Sequence, residues 1–94
     1  MGGETAHRIG ESLATLAADR QVLIVTHLAQ VAAYADQQML VAKVDDGEQT
    51  VASIRALDSD NRVIELSRML SGSPDSETAR GHAVELLVAA RRLT

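Results

Sequence analysis

The chain has no cysteine, no tryptophan and no phenylalanine, and only one tyrosine and one proline among its 94 residues. Without thiols there is no disulfide framework, no thiolate nucleophile and no cysteine-based zinc site. Without aromatics there are no stacking platforms for single-stranded nucleic acid. Basic residues are also in deficit: 9 Lys and Arg face 13 Asp and Glu, for a net charge of −4. A stand-alone nucleic-acid binder is therefore not expected. No apolar run approaches the roughly 20 residues of a membrane span, and the first eight residues lack an apolar signal core. These absences predict a cytoplasmic protein with no membrane partner.

Apolar residues still make up 46% of the chain, supplied by Ala, Val, Leu, Ile and Met. That fraction suits a folded domain rather than a disordered one. A chain this short buries only about 60–65% of its unfolded surface, so marginal stability is expected of a monomer.

Periodicity organises the chain. Ala6, Ile9, Leu13, Leu16 and Ala17 recur at spacings of three and four, predicting a helix over 4–18. Val22-Leu23-Ile24-Val25 is an unbroken apolar run with three β-branched residues, the pattern of a strand covered on both faces. A short helix is expected over 28–35, burying Leu28, Val31 and Ala32. Strands are expected from Met39 to Val44 and from Thr50 to Leu57, joined through Asp45-Asp46-Gly47, where Asp and Gly tolerate positive φ. Asp58-Ser59-Asp60 offers caps for a helix over 60–71, with Val63, Leu66 and Leu70 inward and Gly72 just past its end. Ser73-Pro74-Asp75-Ser76 breaks the chain and caps a last helix over 76–92 that presents Ala79, Ala83, Leu86, Leu87 and Ala90. The order is α-β-α-β-β-α-α, an α/β layout with helices packed on a small sheet. A buried parallel strand needs neighbours on both sides, and Val22–Val25 finds only one or two. That shortage points to a piece of something larger.

Thr26-His27 is the most informative dipeptide. It stands where an apolar strand ends and a helix begins, the end of an open α/β sheet at which ligands collect. An imidazole there can donate to a phosphate oxygen or place a water; it can equally end a strand in solvent. His7 and His82 lie elsewhere, on the outer side of the first helix and beside the apolar stripe of the last. No pair of histidines has the i, i+4 spacing of a helical zinc site, so no metal is expected. Arg62, Glu65 and Arg68 are spaced by threes and suit a surface ion-pair ladder. The chain has no G-x-x-x-x-G-K-[ST], no G-x-G-x-x-G and no G-x-S-x-G, so nothing in it makes a self-contained active site.

The stretch Gly2-Gly3-Glu4-Thr5-Ala6, Ile9-Gly10, Leu13 and Leu16-Ala17, then Gln21 through Leu28 and Gln30 through Asp36, resembles the C-terminal end of the RecN family of bacterial DNA repair proteins. Arg62-Val63-Ile64-Glu65-Leu66-Ser67-Arg68-Met69-Leu70-Ser71-Gly72 is similar to that family's penultimate helix. Thr78-Ala79, His82-Ala83 and Glu85-Leu86-Leu87 are similar to its final helix. The resemblance implies part of an ABC- and SMC-type ATPase head, in which ATP and Mg²⁺ are held between two head subunits. It makes His27 the switch histidine facing the γ-phosphate, with Thr26 beside it, and aligns Gly2 and Gly3 with the glycines after the D-loop aspartate. It implies a role in recombinational repair of DNA double-strand breaks, near the nucleoid, with DNA contacted through the whole protein. Walker A, the signature motif and the Walker B acids are not in these 94 residues, so the partners expected are the N-terminal half of the head and a second head subunit. Ala29 stands where the family usually has proline. A C-terminal fragment, or a reading frame opening at Met1, follows from the resemblance. Such a piece alone should neither bind nor hydrolyse ATP appreciably. Its uncovered faces should drive self-association. A stand-alone interaction module is the competing expectation, and a small acidic enzyme built around His27 is a third.

Overall fold

A computed structural model describes residues 2–73 and 75–93. The break expected at Pro74 and the frame opening at Met1 lie partly outside the described residues. The order is α1 (Gly3–Leu16), α2 (Ala29–Ala32), β1 (Met39–Asp45), β2 (Thr50–Ala56), α3 (Ser59–Ser71) and α4 (Glu77–Ala89). Five of these elements fall where periodicity puts them; α2 is a single turn inside the longer helix expected over 28–35.

The expected strand at Val22–Val25 does not form: residues 21–26 carry no secondary structure and pair with nothing. The sheet is the antiparallel pair β1–β2 alone, in register from Met39 opposite Ala56 to Asp45 opposite Thr50. A strand needs a hydrogen-bonding neighbour, and the described residues supply none for this run. The fold is thus mixed helix and strand, but the helices do not pack on the sheet as expected. They pack on one another, α3 on α4, α1 on α2 and α2 on α3, and the strands make only marginal contact with any helix.

The core sits among the helices. Leu66 of α3 with Ala83 and Leu87 of α4 are fully buried, joined by Ala29, Ala33, Tyr34 and Ala90, with Val63, Met69, Leu70 and Leu86 packed around them. The small alanines Ala83 of α4 and Ala90 at its end lie buried in this core, where α4 packs on α3. The caps are the expected kind. Asp58 accepts from the Asn61 amide at the start of α3, Ser76 accepts from the Ala79 amide at the start of α4, and Gly72 ends α3 at φ +77°. The end of α4 differs from expectation. It closes at Ala90, two residues before the expected limit, because Arg91 takes φ +62° and Arg92 N–H returns to the Leu87 carbonyl at 2.8 Å. This is a Schellman closure built without glycine.

α1 is held by a different contact. The Tyr34 ring lies on the α1 backbone at Gly10, so closely that a Cβ there would come 2.4 Å from the ring. The Tyr34 hydroxyl bonds the His7 imidazole, Nε2 at 2.6 Å, with the rings edge to face at 5.0 Å. His7 is therefore a packing residue and His82 an exposed one, the reverse of the sequence expectation. Burial, with Glu11 adding negative charge nearby, raises the Tyr34 pKa.

Candidate functional site

The segment that carries His27 is built from an apolar run left in water. Leu23 is 84% exposed and Val25 99% exposed, with Ile24 also open to solvent. Thr26 then turns the chain: its Oγ1 accepts from the Leu28 amide at 3.0 Å, a local hydroxyl turn. Leu28 stands in an extended conformation and starts α2, its carbonyl accepting from the Val31 and Ala32 amides at 3.1 and 3.0 Å. His27 is exposed between these two anchors, and its imidazole has no hydrogen-bond or charged partner among the described residues. Ala29 occupies the first helical position, where proline is accommodated because that N–H has no intrahelical acceptor.

Gly2 precedes α1 in an extended conformation and Gly3 is its first residue. A side chain added at either would meet nothing within 4 Å, so neither glycine packs against Thr26 or His27. The structure thus joins Thr26 and His27 in one turn and leaves Gly2 and Gly3 open at the head of another helix.

Sequence reasoning missed what holds the far end of α2. Arg62, expected in a surface ladder, instead turns inward and is only 7% exposed. Its Nη2 donates to the carbonyls of Ala32 (3.0 Å), Ala33 (3.2 Å) and Ala35 (2.6 Å), and its Nε donates to Gln38 Oε1 at 3.1 Å. These carbonyls end a helical turn, where a cation is electrostatically favoured. Arg92, delivered by the Arg91 closure, adds donors to the Tyr34 carbonyl at 2.8 Å and the Ala35 carbonyl at 3.1 Å, and pairs with Asp36 at 3.0 Å. Burial lowers the Arg62 pKa, the neighbouring Arg92 charge lowers it further, and Asp36 opposes both. The remaining ladder pair does form: Arg68 meets Glu65 through Nε and Nη2 together. The only advance signal for the inward Arg62 was its place, one residue before Val63 at the start of an amphipathic helix.

Among the described residues no group of three His, Asp or Glu side chains could hold a metal, and no helix is long and apolar enough to cross a membrane.

No protein-family profile matches the chain. The chain is homologous to bacterial DNA repair proteins along nearly its whole length. The relatives it matches carry the name DNA repair protein RecN. The chain is 56% identical over 91 residues to RecN of Streptomyces coelicolor, covering 97% of the chain and 16% of that protein. It is 51% identical over 88 residues to RecN of Deinococcus radiodurans, covering 93% and 15%, and 41% identical over 90 residues to RecN of Vibrio cholerae, covering 96% and 16%. The chain therefore spans about one sixth of the length of these relatives, consistent with a C-terminal part of RecN.

Proposed function

We propose that these residues work as the C-terminal lobe of a RecN-like ATPase head in recombinational repair of DNA double-strand breaks, with His27 facing the γ-phosphate of ATP. The observation that carries this reading is the His27 turn: an exposed, unpartnered imidazole between an unpaired apolar run and a one-turn helix. The homology to RecN supports it. In such a head the apolar run would gain sheet neighbours from the rest of the protein, which would place His27 at the carboxyl end of a strand.

The residues present do not suffice to hold a nucleotide. His27 and the Thr26 hydroxyl, whose oxygen accepts from the Leu28 amide, offer one donor each, and no glycine-rich loop or metal-binding acid cluster is present among the described residues. The phosphate cradle and Mg²⁺ site belong, on this reading, to the other half of the head, and Gly2 and Gly3 lie on the side facing the second head subunit. DNA is contacted through the whole protein. The role of the His27 imidazole is to donate to phosphate charge that grows as the terminal bond breaks.

The test is His27→Ala in full-length RecN carrying this segment. Turnover should fall by about 10²-fold, the usual loss for one such donor, with nucleotide affinity nearly retained. Unchanged turnover removes His27 from the chemistry. The exposed apolar surface also favours a second reading, an interaction module that pairs with its own copy; it requires dimers of the 94-residue chain by light scattering and turnover indifferent to His27.

A further inference from the structure

Arg62 is a costly way to fill space. A guanidinium that is 7% exposed gives up most of its hydration, and its acceptors in the structure are the neutral oxygens of Gln38, Ala32, Ala33 and Ala35. Leucine or methionine would fill a core position without that desolvation, so hydrophobic stability does not account for an arginine here. What an arginine supplies is direction: five donors in a rigid fork can gather several carbonyls at the end of a helical turn.

The carbonyls gathered are those leaving α2, and α2 is a single turn. Its first anchor, the Leu28 carbonyl bonded by Val31 and Ala32, adjoins His27 directly. A one-turn helix has too few internal bonds to hold itself, so its orientation depends on what grips its ends. Thr26 grips the entry and Arg62 the exit, with Arg92 reinforcing the exit from the chain terminus. Arg62 belongs to α3, which is tied into the main core through Leu66. The grip therefore references the His27 turn to the best-packed part of the molecule.

We infer that Arg62 is a positioning residue for His27, fixing the one-turn helix α2 against the α3–α4 core so that the imidazole is held in place before any phosphate reaches it. The inference rests on the reading of His27 given above, but its structural half stands without it.

The structural half is read by amide hydrogen exchange in the 94-residue chain. Arg62→Gln should speed exchange at Val31 and Ala32 about tenfold or more, while Ala83 and Leu87 in α4 stay within about twofold. A uniform rise at all four would show a general packing role and overturn the inference; so would no rise at Val31 and Ala32. Arg62→Lys, which keeps the charge but not the fork, should give an intermediate rise. The functional half is read in full-length RecN carrying this segment. Arg62→Gln should lower kcat about tenfold with KM for ATP within about twofold, and His27→Ala with Arg62→Gln together should be no slower than His27→Ala alone. A double variant slower than His27→Ala by the full Arg62→Gln factor would mean that Arg62 does not act through His27. If His27→Ala leaves turnover unchanged, the reading of His27 fails, and the exchange result alone then decides whether Arg62 orders α2.

Discussion

The two halves of this molecule treat their apolar residues in opposite ways. In α3 and α4, Leu66, Ala83 and Leu87 are fully buried, the caps are made, and even the end of α4 finds its carbonyl partners. In residues 22–25 and the hairpin, Leu23, Val25, Met39, Val41, Val44 and Ile54 lie largely in solvent. The register puts Met39, Val41, Ala52, Ile54 and Ala56 on one face of the hairpin together with Lys43, a mostly apolar surface that makes at most marginal contact with a helix. A two-stranded hairpin with neither face covered is marginal in water. One half buries its apolar residues, and the other leaves them in solvent among the described residues.

Substitutions break this comparison most sharply. Leu66→Ala should destabilise the chain by about 2–5 kcal/mol in urea unfolding, because a fully buried side chain leaves a cavity. Val25→Ser in the same chain should change stability by no more than about 0.5 kcal/mol, since the valine is already in water. A large loss at Val25 would mean that the run is covered after all. Between these lies Gly10→Ala, expected to cost about 1–3 kcal/mol by pushing Tyr34 off α1 and readable as a lower Tm. A silent Gly10→Ala would detach α1 from the buried half.

A smaller effect than that of Gly10→Ala is expected at Asp58. Amide and side-chain donation from Asn61 holds its carboxyl below the usual carboxylate range. A depressed folded-state pKa gives stability that is present above the unfolded value and lost as pH falls through the folded one. Asp58→Ala should therefore lower Tm at neutral pH and flatten its acid limb, the two proteins converging below the folded pKa. A Tm difference that persists unchanged into strong acid would show that the cap acts through something other than the ionised carboxylate.

The helices were legible because their signals are local. Spacings of three and four marked α3 and α4, and Asp58, Gly72 and Ser76 marked their ends. The hairpin followed from Asp-Asp-Gly between two apolar stretches. Val22–Val25 misled because a strand is defined by a partner, which no single segment encodes. Arg62 misled because spacing to Glu65 and Arg68 describes one helix surface and says nothing of carbonyls left open on another element. The end of α4 was placed late because a left-handed arginine leaves no glycine to read. Thr26-His27 stood out as a candidate from its place at the end of an apolar run; the hydrogen bonds from Arg62 to the end of α2 had no such signal.

The most direct test of the half left in solvent is hydrogen exchange at Val22–Val25, compared between the 94-residue chain and full-length RecN carrying it. Exchange at these four amides should be near the unstructured rate in the chain alone and slower by about 10³-fold or more in the longer protein, as for a central strand. Equal exchange in both, fast or slow, would contradict the claim that this run waits for a sheet and that His27 is positioned at its end.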